Sequence, residues 1–168
     1  IVVPVRNPQR LPDLTPVLDE REAAARLTTA LVGQALQRTP DGRASVYLEP
    51  LNRYETWFLN RVEQAAALCH ELAHPRMSVL ADLYHMNIEE SSLPDALHEA
   101  RAVIGYVHLA DSNRQLPGRG HTSFANVFHA LRAGDYGGWL SLECSVGDDP
   151  ARSLPETVTS LHRWWAGG

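Results

Sequence analysis

An alternation of short β-branched runs with longer amphipathic stretches constrains the fold of this chain more than any other sequence feature. Candidate strands lie at 1–5, 44–48, 77–83, 102–109 and 139–142. Candidate helices run from Asp19 or Glu20 to about Arg38, from Glu55 to about Leu72, and over 93–100, 123–133 and 154–165. Strands that alternate with helices are typical of a parallel sheet with helical crossovers. The pattern therefore predicts an α/β domain with five β/α units.

Two parallel architectures accommodate such units, an open doubly wound sheet and part of a closed barrel. No Gly-x-Gly-x-x-Gly segment follows the first candidate strand, which argues against a dinucleotide-binding sheet. A complete (β/α)8 TIM barrel needs roughly 250 residues, whereas this chain has 168. We therefore predict that residues 1–168 are the C-terminal part of one TIM barrel domain and supply about its last five β/α units.

Composition argues against several classes of function. The formal net charge is −5, so the chain shows no excess of basic residues of the kind that nucleic-acid binding needs. No apolar run approaches the ~18 residues of a membrane span. Cys69 and Cys144 form no CxxC pattern, and the first residues do not resemble a targeting signal. We expect a cytoplasmic protein with neither nucleic acid nor a membrane as its partner.

Acids and a histidine stand where the candidate strands end. Glu49 follows the second strand, Asp82 and His108 lie near the ends of the third and fourth, and Glu143 follows the fifth. The carboxyl ends of parallel strands in a barrel converge on one mouth, where active sites form. Three carboxylates and one imidazole suit a divalent ion, and the nitrogen shifts the preference toward transition metals. One such acid could be a loop cap, but four successive strand ends predict a metal site.

Three longer segments resemble those of a known family. Residues 48–55 read LEPLNRYE, and residues 82–90 read DLYHMNIEE. His108 is followed by Asp111, by Asn113-Arg114 and by PGRG at 117–120. In order and spacing these segments resemble the signatures of the ketose 3-epimerases, a group of the xylose isomerase-like TIM barrel family that includes D-tagatose and D-psicose 3-epimerases. Cys144, after Glu143, departs from the acid-Pro ending that is usual there.

This resemblance implies a metal-dependent isomerase that epimerises C3 of a ketose through an enediolate. Glu49 and Glu143 would be catalytic and would exchange the C3 proton on opposite faces of the sugar. The metal ligands would be Glu49, Asp82, His108 and Glu143, with one Mn²⁺ as the expected ion and Mg²⁺ or Co²⁺ as alternatives. Substrate would contact Glu55, His85 and Arg114. The expected partners are a small sugar and further copies of the chain in a homo-oligomer.

Simpler interpretations of single residues stay open. His85 could hydrogen-bond a backbone carbonyl, Arg114 could be a surface loop arginine, and Glu55 could favour a helix start through the dipole. Asp111 could instead support His108 from behind. Among functions, the enolisation chemistry of hydroxypyruvate isomerase or inosose dehydratase fits the same four residues. An AP endonuclease-like nuclease with several zinc ions and an inactive barrel fragment are the remaining alternatives.

Overall fold

The computed structural model describes residues 1–3 and 5–167. Within them, four parallel strands form one sheet in the order β1 (Val46–Leu48), β2 (Met77–Asp82), β3 (Ile104–Leu109) and β4 (Trp139–Leu142). The helices are α1 (Glu20–Arg38), α2 (Val62–Leu72), α3 (Leu83–Glu89), α4 (Leu93–Glu99), α5 (Phe124–Ala133) and α6 (Pro150–Ala166). Sequential parallel strands with helices between them are the arrangement of a β/α barrel wall. The described helices include none with the length and hydropathy of a membrane span.

The predicted first strand at 1–5 is wrong in extent. Val2 forms an isolated parallel bridge with Leu48, and its N–H donates to the Tyr47 carbonyl at 2.8 Å. Beyond it the chain leaves the sheet, because the Asn7 N–H donates to the Glu55 carbonyl instead. Pro4 lies outside the described residues. The described residues therefore hold four strands, and Val2 joins the sheet through a single bridge where a fifth strand was predicted.

The second predicted helix begins at Val62 and not at Glu55. Residues 55–61 form a loop in which Leu59 has a left-handed backbone, with φ 57°. The Leu51 N–H donates to the Leu59 carbonyl at 3.0 Å, so this loop is tied to the segment that follows β1. Trp57, Phe58 and Leu59 are buried by that loop. Phe58, whose spacing from Val62 suggested a helix face, instead packs with Trp57 and Leu59 into the core.

A short helix absent from the predicted elements, α3, begins directly after β2. Its N-cap is Asp82, whose Oδ1 accepts the N–H groups of Tyr84 at 2.8 Å and His85 at 3.2 Å. Such a carboxylate satisfies helix N–H groups that have no partner within the helix. The last helix also begins earlier than the predicted Leu154, at Pro150, since proline suits the first turn and Asp149 caps it.

The hydrophobic core lies between the sheet and the helices that cover it. Buried strand residues such as Leu48, Val79 and Val107 belong to the same cluster as Val62 of α2 and Phe128 of α5. Helix α6 packs on α5 through two aromatic pairs, Phe124 with Trp164 and Phe128 with Trp165, each with ring centroids 5.4 Å apart. The helices packed on the sheet hold the strands in place. They therefore also hold the side chains at the strand ends in place.

Candidate metal centre

The register of the parallel strands places the four candidate ligands side by side. Asp82 of β2 pairs directly with His108 of β3. Leu109 pairs with Leu142, the residue before Glu143, and Leu48, the residue before Glu49, pairs with Val79. Because all the strands run in one direction, the four side chains lie at the carboxyl edge of the sheet, where barrel active sites form.

The four side chains meet around the His108 imidazole. Its Nδ1 lies 3.3 Å from Glu143 Oε2, 3.4 Å from Asp82 Oδ2 and 3.7 Å from Glu49 Oε1. One ligand atom from each residue lies within 4.8 Å of all the others. Glu49, Asp82 and His108 are buried, while the Glu143 side chain is 45% exposed. The cluster is therefore enclosed by β1 to β3 and open to solvent beside β4.

The donor set of this cluster fits a divalent cation. Asp82 Oδ2 and His108 Nδ1 are buried without a hydrogen-bond partner among the described residues. A buried polar atom without a partner costs ~1–3 kcal/mol, so a folded protein seldom keeps two in one place without a reason. Asp82 Oδ1, in contrast, is engaged by α3. A cation at this point would satisfy both free atoms, together with oxygens from Glu49 and Glu143.

In the metal-free protein the cluster holds protons. Burial lowers the pKa of His108, but the carboxylates of Asp82, Glu49 and Glu143 outweigh burial and raise it to about 10. Burial raises the pKa of Asp82, yet His108 and His85 bring it below its ordinary value. Burial and the adjacent Asp82 carboxyl raise the pKa of Glu143. A proton on His108 therefore takes the place that a cation would otherwise fill.

Arg114 links this cluster to the residues predicted to contact substrate. Its Nη2 lies 3.4 Å from Glu143 Oε2, and its Nη1 lies 3.4 Å from Glu55 Oε1. The guanidinium sits 4.7 Å from the centroid of the Tyr84 ring, within the range of a cation–π interaction. Arg114 is thus directed to the candidate site and is not a free surface arginine.

His85 is held by the segment that follows β1. Its Nδ1 accepts the Asn52 N–H at 3.2 Å and lies 2.8 Å from Asn52 Nδ2. Glu55 Oε1 is 4.0 Å from the same nitrogen. Burial lowers the pKa of His85, so the neutral ring is favoured. Because Nδ1 accepts, the neutral ring carries its proton on Nε2 and can donate there, which differs from the simpler interpretation of a bond to a backbone carbonyl.

Comparison with known proteins decides the family. A family model described as "xylose isomerase-like TIM barrel" matches residues 9–164 of the chain. The chain belongs to the xylose isomerase-like TIM barrel family. The predicted family resemblance and the barrel fold class are thereby confirmed.

Similar proteins within this family are sugar epimerases by name. The chain is 39% identical over 117 residues to 3-dehydro-D-guloside 4-epimerase of Escherichia coli (strain K12), covering 69% of this chain and 45% of that protein. It is 35% identical over 137 residues to ketose 3-epimerase of Arthrobacter globiformis, covering 82% and 47%. The crystal structure of apo 3-keto-D-glucoside 4-epimerase from E. coli matches with TM-score 0.76 and 34% identity, covering 92% and 59%. The chain spans about half the length of the curated relatives it matches.

In this xylose isomerase-like barrel, two glutamates hold the loops around the candidate site. The sequence alone suggested no role for them. Glu89 accepts both Nε and Nη2 of Arg53, at 2.9 and 3.0 Å, and the Arg53 N–H at 2.6 Å. Glu90 accepts the Val62 N–H at 2.8 Å and Arg61 Nε at 3.1 Å. The two acids therefore fasten the segment after β1 to the end of α3. In the sequence, this role could have been inferred from the two consecutive acids that end the HMNIEE segment.

Asp111 does not support His108, and that interpretation is wrong. Its carboxylate accepts N–H groups of its own loop, from Ser112 at 2.7 Å, Gly118 at 2.8 Å and Thr122 at 3.0 Å. Burial raises the pKa of Asp111, but these N–H groups outweigh burial and lower it. The loop folds back onto the carboxylate, so both oxygens are engaged by main chain. We refer to residues 111–122 as the Asp111 loop.

We expect Gly120→Ala to destabilise the protein by about 1–3 kcal/mol, the usual range for overpacking a filled site. A Cβ at this position would collide with Asp111 Oδ1 and lie 2.5 Å from Ser112 Oγ, so the loop would have to move. Thermal or urea unfolding measures the change. Gly137→Ala is the matched control, because no atom lies within 4 Å of a Cβ there. Equal stability of the two variants would contradict close packing around Asp111.

Proposed function

We propose that the full natural polypeptide carrying this chain is a divalent-metal-dependent sugar epimerase that inverts C3 of a ketose through an enediolate. The convergence of Glu49, Asp82, His108 and Glu143 within 4.8 Å supports this proposal most directly. The names of the similar proteins support epimerisation of a sugar beside a ketone. In this proposal the chain forms the C-terminal part of the barrel, and the protein is a cytoplasmic homo-oligomer.

The positions of the two glutamates suit a two-base epimerisation. Glu49 follows β1 and Glu143 follows β4, so they approach the cluster from its two ends. One glutamate, ionised, takes the proton from the carbon beside the carbonyl, and the other, protonated, donates its proton to the opposite face and is left ionised. A divalent ion held by Glu49, Asp82, His108 and Glu143 would polarise the carbonyl and stabilise the negative charge of the enediolate.

The residues beside the cluster provide groups that recognise a sugar. Arg114 offers guanidinium donors, Glu55 offers a carboxylate acceptor, and His85 offers Nε2–H. These three side chains lie beside one another, since Glu55 Oε1 is 3.4 Å from Arg114 Nη1 and 4.0 Å from His85 Nδ1. We assign them to the hydroxyl and carbonyl oxygens of the substrate.

A second candidate places the inverted carbon elsewhere. The E. coli relatives are named as 4-epimerases of 3-keto sugars, in which C4 is adjacent to the ketone just as C3 is in a 2-ketose. The same two glutamates would serve both reactions, since only the position of the carbonyl along the sugar changes. Glycosides with a 3-keto group therefore belong beside free ketoses in any test.

The test uses the full natural polypeptide, freed of metal by a chelator and reloaded with Mn²⁺, Mg²⁺ or Co²⁺. D-tagatose, D-psicose, D-fructose and a 3-keto-glucoside are incubated with it in D₂O and followed by NMR. We expect inversion at the carbon beside the ketone, with deuterium entering that carbon. In the protein as purified, before the chelator is added, metal content near one ion per chain is expected, while several zinc ions per chain would favour the nuclease alternative. Absence of both inversion and deuterium with every sugar, despite bound metal, would overturn the proposal.

We expect the affinity for Mn²⁺ to rise by about tenfold per pH unit between pH 6.5 and 8.5, because one proton leaves as the ion binds. The pKa of His108 in the metal-free protein is about 10, so this imidazole is protonated across that whole range. Titration calorimetry in buffers of different ionisation enthalpy measures both the affinity and the number of protons released. An affinity independent of pH would contradict His108 as a ligand.

A further inference from the structure

The Asp111 carboxylate ties both ends of its loop to one point. Ser112, at the start of the loop, and Thr122, at its end, both donate to Oδ1, while Gly118 donates to Oδ2. Asp111 is 0% exposed, and its side chain has no cationic partner among the described ion pairs. Its negative charge is therefore balanced by main-chain N–H groups that only this fold of the loop brings together.

The same residue closes a tight turn around Arg114. The Arg114 N–H donates to the Asp111 carbonyl at 2.8 Å, and the Asp111 N–H donates to the Gln115 carbonyl at 2.9 Å. Arg114 itself has φ 58°, a left-handed backbone that side chains other than glycine adopt at a cost. Such a conformation persists only where surrounding bonds impose it, and here they include the two main-chain bonds of Asp111 and the Gln115 N–H, which donates to Asn113 Oδ1 at 3.1 Å.

The turn is fastened on its other side to the segment after β4 that contains Glu143. The Ser145 N–H donates to the Arg114 carbonyl at 2.9 Å, and Gln115 forms a parallel bridge with Ser145. The Arg114 guanidinium then reaches Glu143 and Glu55, both at 3.4 Å. The position of this guanidinium therefore depends both on the bonds within the Asp111 loop and on the bonds to Ser145, which follows β4.

We propose that Asp111 is a positioning residue that acts through Arg114: its carboxylate holds the loop in the one conformation that directs the guanidinium to Glu143 and Glu55. This inference rests on the proposed function for its kinetic consequence, but its structural part is independent of it. Asparagine at position 111 would keep the shape of the side chain while turning one acceptor into a donor that faces N–H groups. The loop would then lose at least one anchor.

A double-mutant cycle in the full natural polypeptide tests this. We expect Asp111→Asn to lower kcat/KM about tenfold or more, mainly through KM, with metal content unchanged. In an Arg114→Ala background, Asp111→Asn should cause no further loss, since the group it positions is gone. Equal losses in both backgrounds, or no loss in either, would overturn the proposal. Asp13→Asn is the matched control, because Asp13 also accepts a loop N–H, from Thr15 at 2.9 Å, on an exposed segment.

A spectroscopic measurement separates this inference from the proposed function. The Arg114 Nη–H signals, assigned with Arg114→Lys, report the contacts of the guanidinium with Glu55 and Glu143 without turnover. We expect at least tenfold faster solvent exchange of these protons in Asp111→Asn than in the wild type or in Asp13→Asn. If the wild type epimerises no sugar, the proposed function fails while this comparison still decides the positioning role, and unchanged exchange would overturn it. If Asp111→Asn does not fold, Gly118→Ala is the second variant. Residue 118 has φ 91°, where alanine is strained, so the bond from its N–H to Asp111 Oδ2 should weaken. The same increase in the exchange rate is then expected.

Discussion

Glu143→Gln should lower kcat by about 10²- to 10⁴-fold, the range that loss of a positioned acid or base produces. The amide keeps the size of the side chain but neither accepts nor returns the proton of the inverted carbon. In the metal-free protein burial and the Asp82 carboxyl raise the pKa of Glu143, whereas a bound cation would favour the ionised carboxylate that can act as the base. The rate of epimer formation at saturating Mn²⁺, with metal content measured on the same sample, gives the effect.

Isotope exchange sharpens this prediction, because Glu49 is untouched in Glu143→Gln. The epimer whose proton faces Glu49 should still exchange that proton with D₂O, without inversion, while the other epimer should not. Glu49→Gln should show the reverse preference. Glu156→Gln is the control, since Glu156 forms an exposed ion pair with Arg152 on α6, and such pairs contribute little. Inversion at more than about a tenth of the wild-type rate in Glu143→Gln would contradict a two-base mechanism.

The strand ends were predictable from sequence because the pattern that makes a parallel sheet also sets where its side chains converge. Alternating strands and helices require one strand direction, so residues such as Glu49 and Glu143 had to reach the same edge. The structure brings together the four residues chosen on that basis. No atomic contact had to be known for this step, since it depends on periodicity and chain direction alone.

The elements that the sequence did not reveal are those in which tertiary contacts override local pattern. Phe58 lies four residues before Val62 and so extended the helical pattern back over residues 55–61, yet a left-handed Leu59 and main-chain bonds to the segment after β1 make these residues a buried loop. Helix α3 was missed because its start is defined by an Asp82 carboxylate that also looked like part of a strand. The role of Asp111 depends on N–H groups as far along the chain as Thr122, which no local motif specifies.

The double use of Asp82 leads to a second large expected effect. Oδ1 caps α3, and Oδ2 is buried, without a hydrogen-bond partner among the described residues, beside His108. In Asp82→Asn the amide oxygen should keep the cap, because the amide NH₂ in that place would face the N–H groups of Tyr84 and His85. Asparagine is as good an N-cap as aspartate, so α3 should persist. The NH₂ group is then left pointing into the cluster, where a cation would need an anionic oxygen.

We therefore expect Asp82→Asn to weaken Mn²⁺ binding by about 10²- to 10⁴-fold, since breaking a buried charge pair costs ~3–5 kcal/mol. Helix content measured by circular dichroism should be unchanged, and epimerisation should be lost at Mn²⁺ concentrations that saturate the wild type. Asp149→Asn is the matched control, because Asp149 caps α6 through the Arg152 N–H in the same way and is exposed. Its Mn²⁺ affinity should equal that of the wild type. If Asp82→Asn binds Mn²⁺ as tightly as Asp149→Asn does, the unpaired oxygen of Asp82 is not a ligand. If it instead loses helix content, the carboxylate was needed for the cap, and the two functions of Asp82 are not separable.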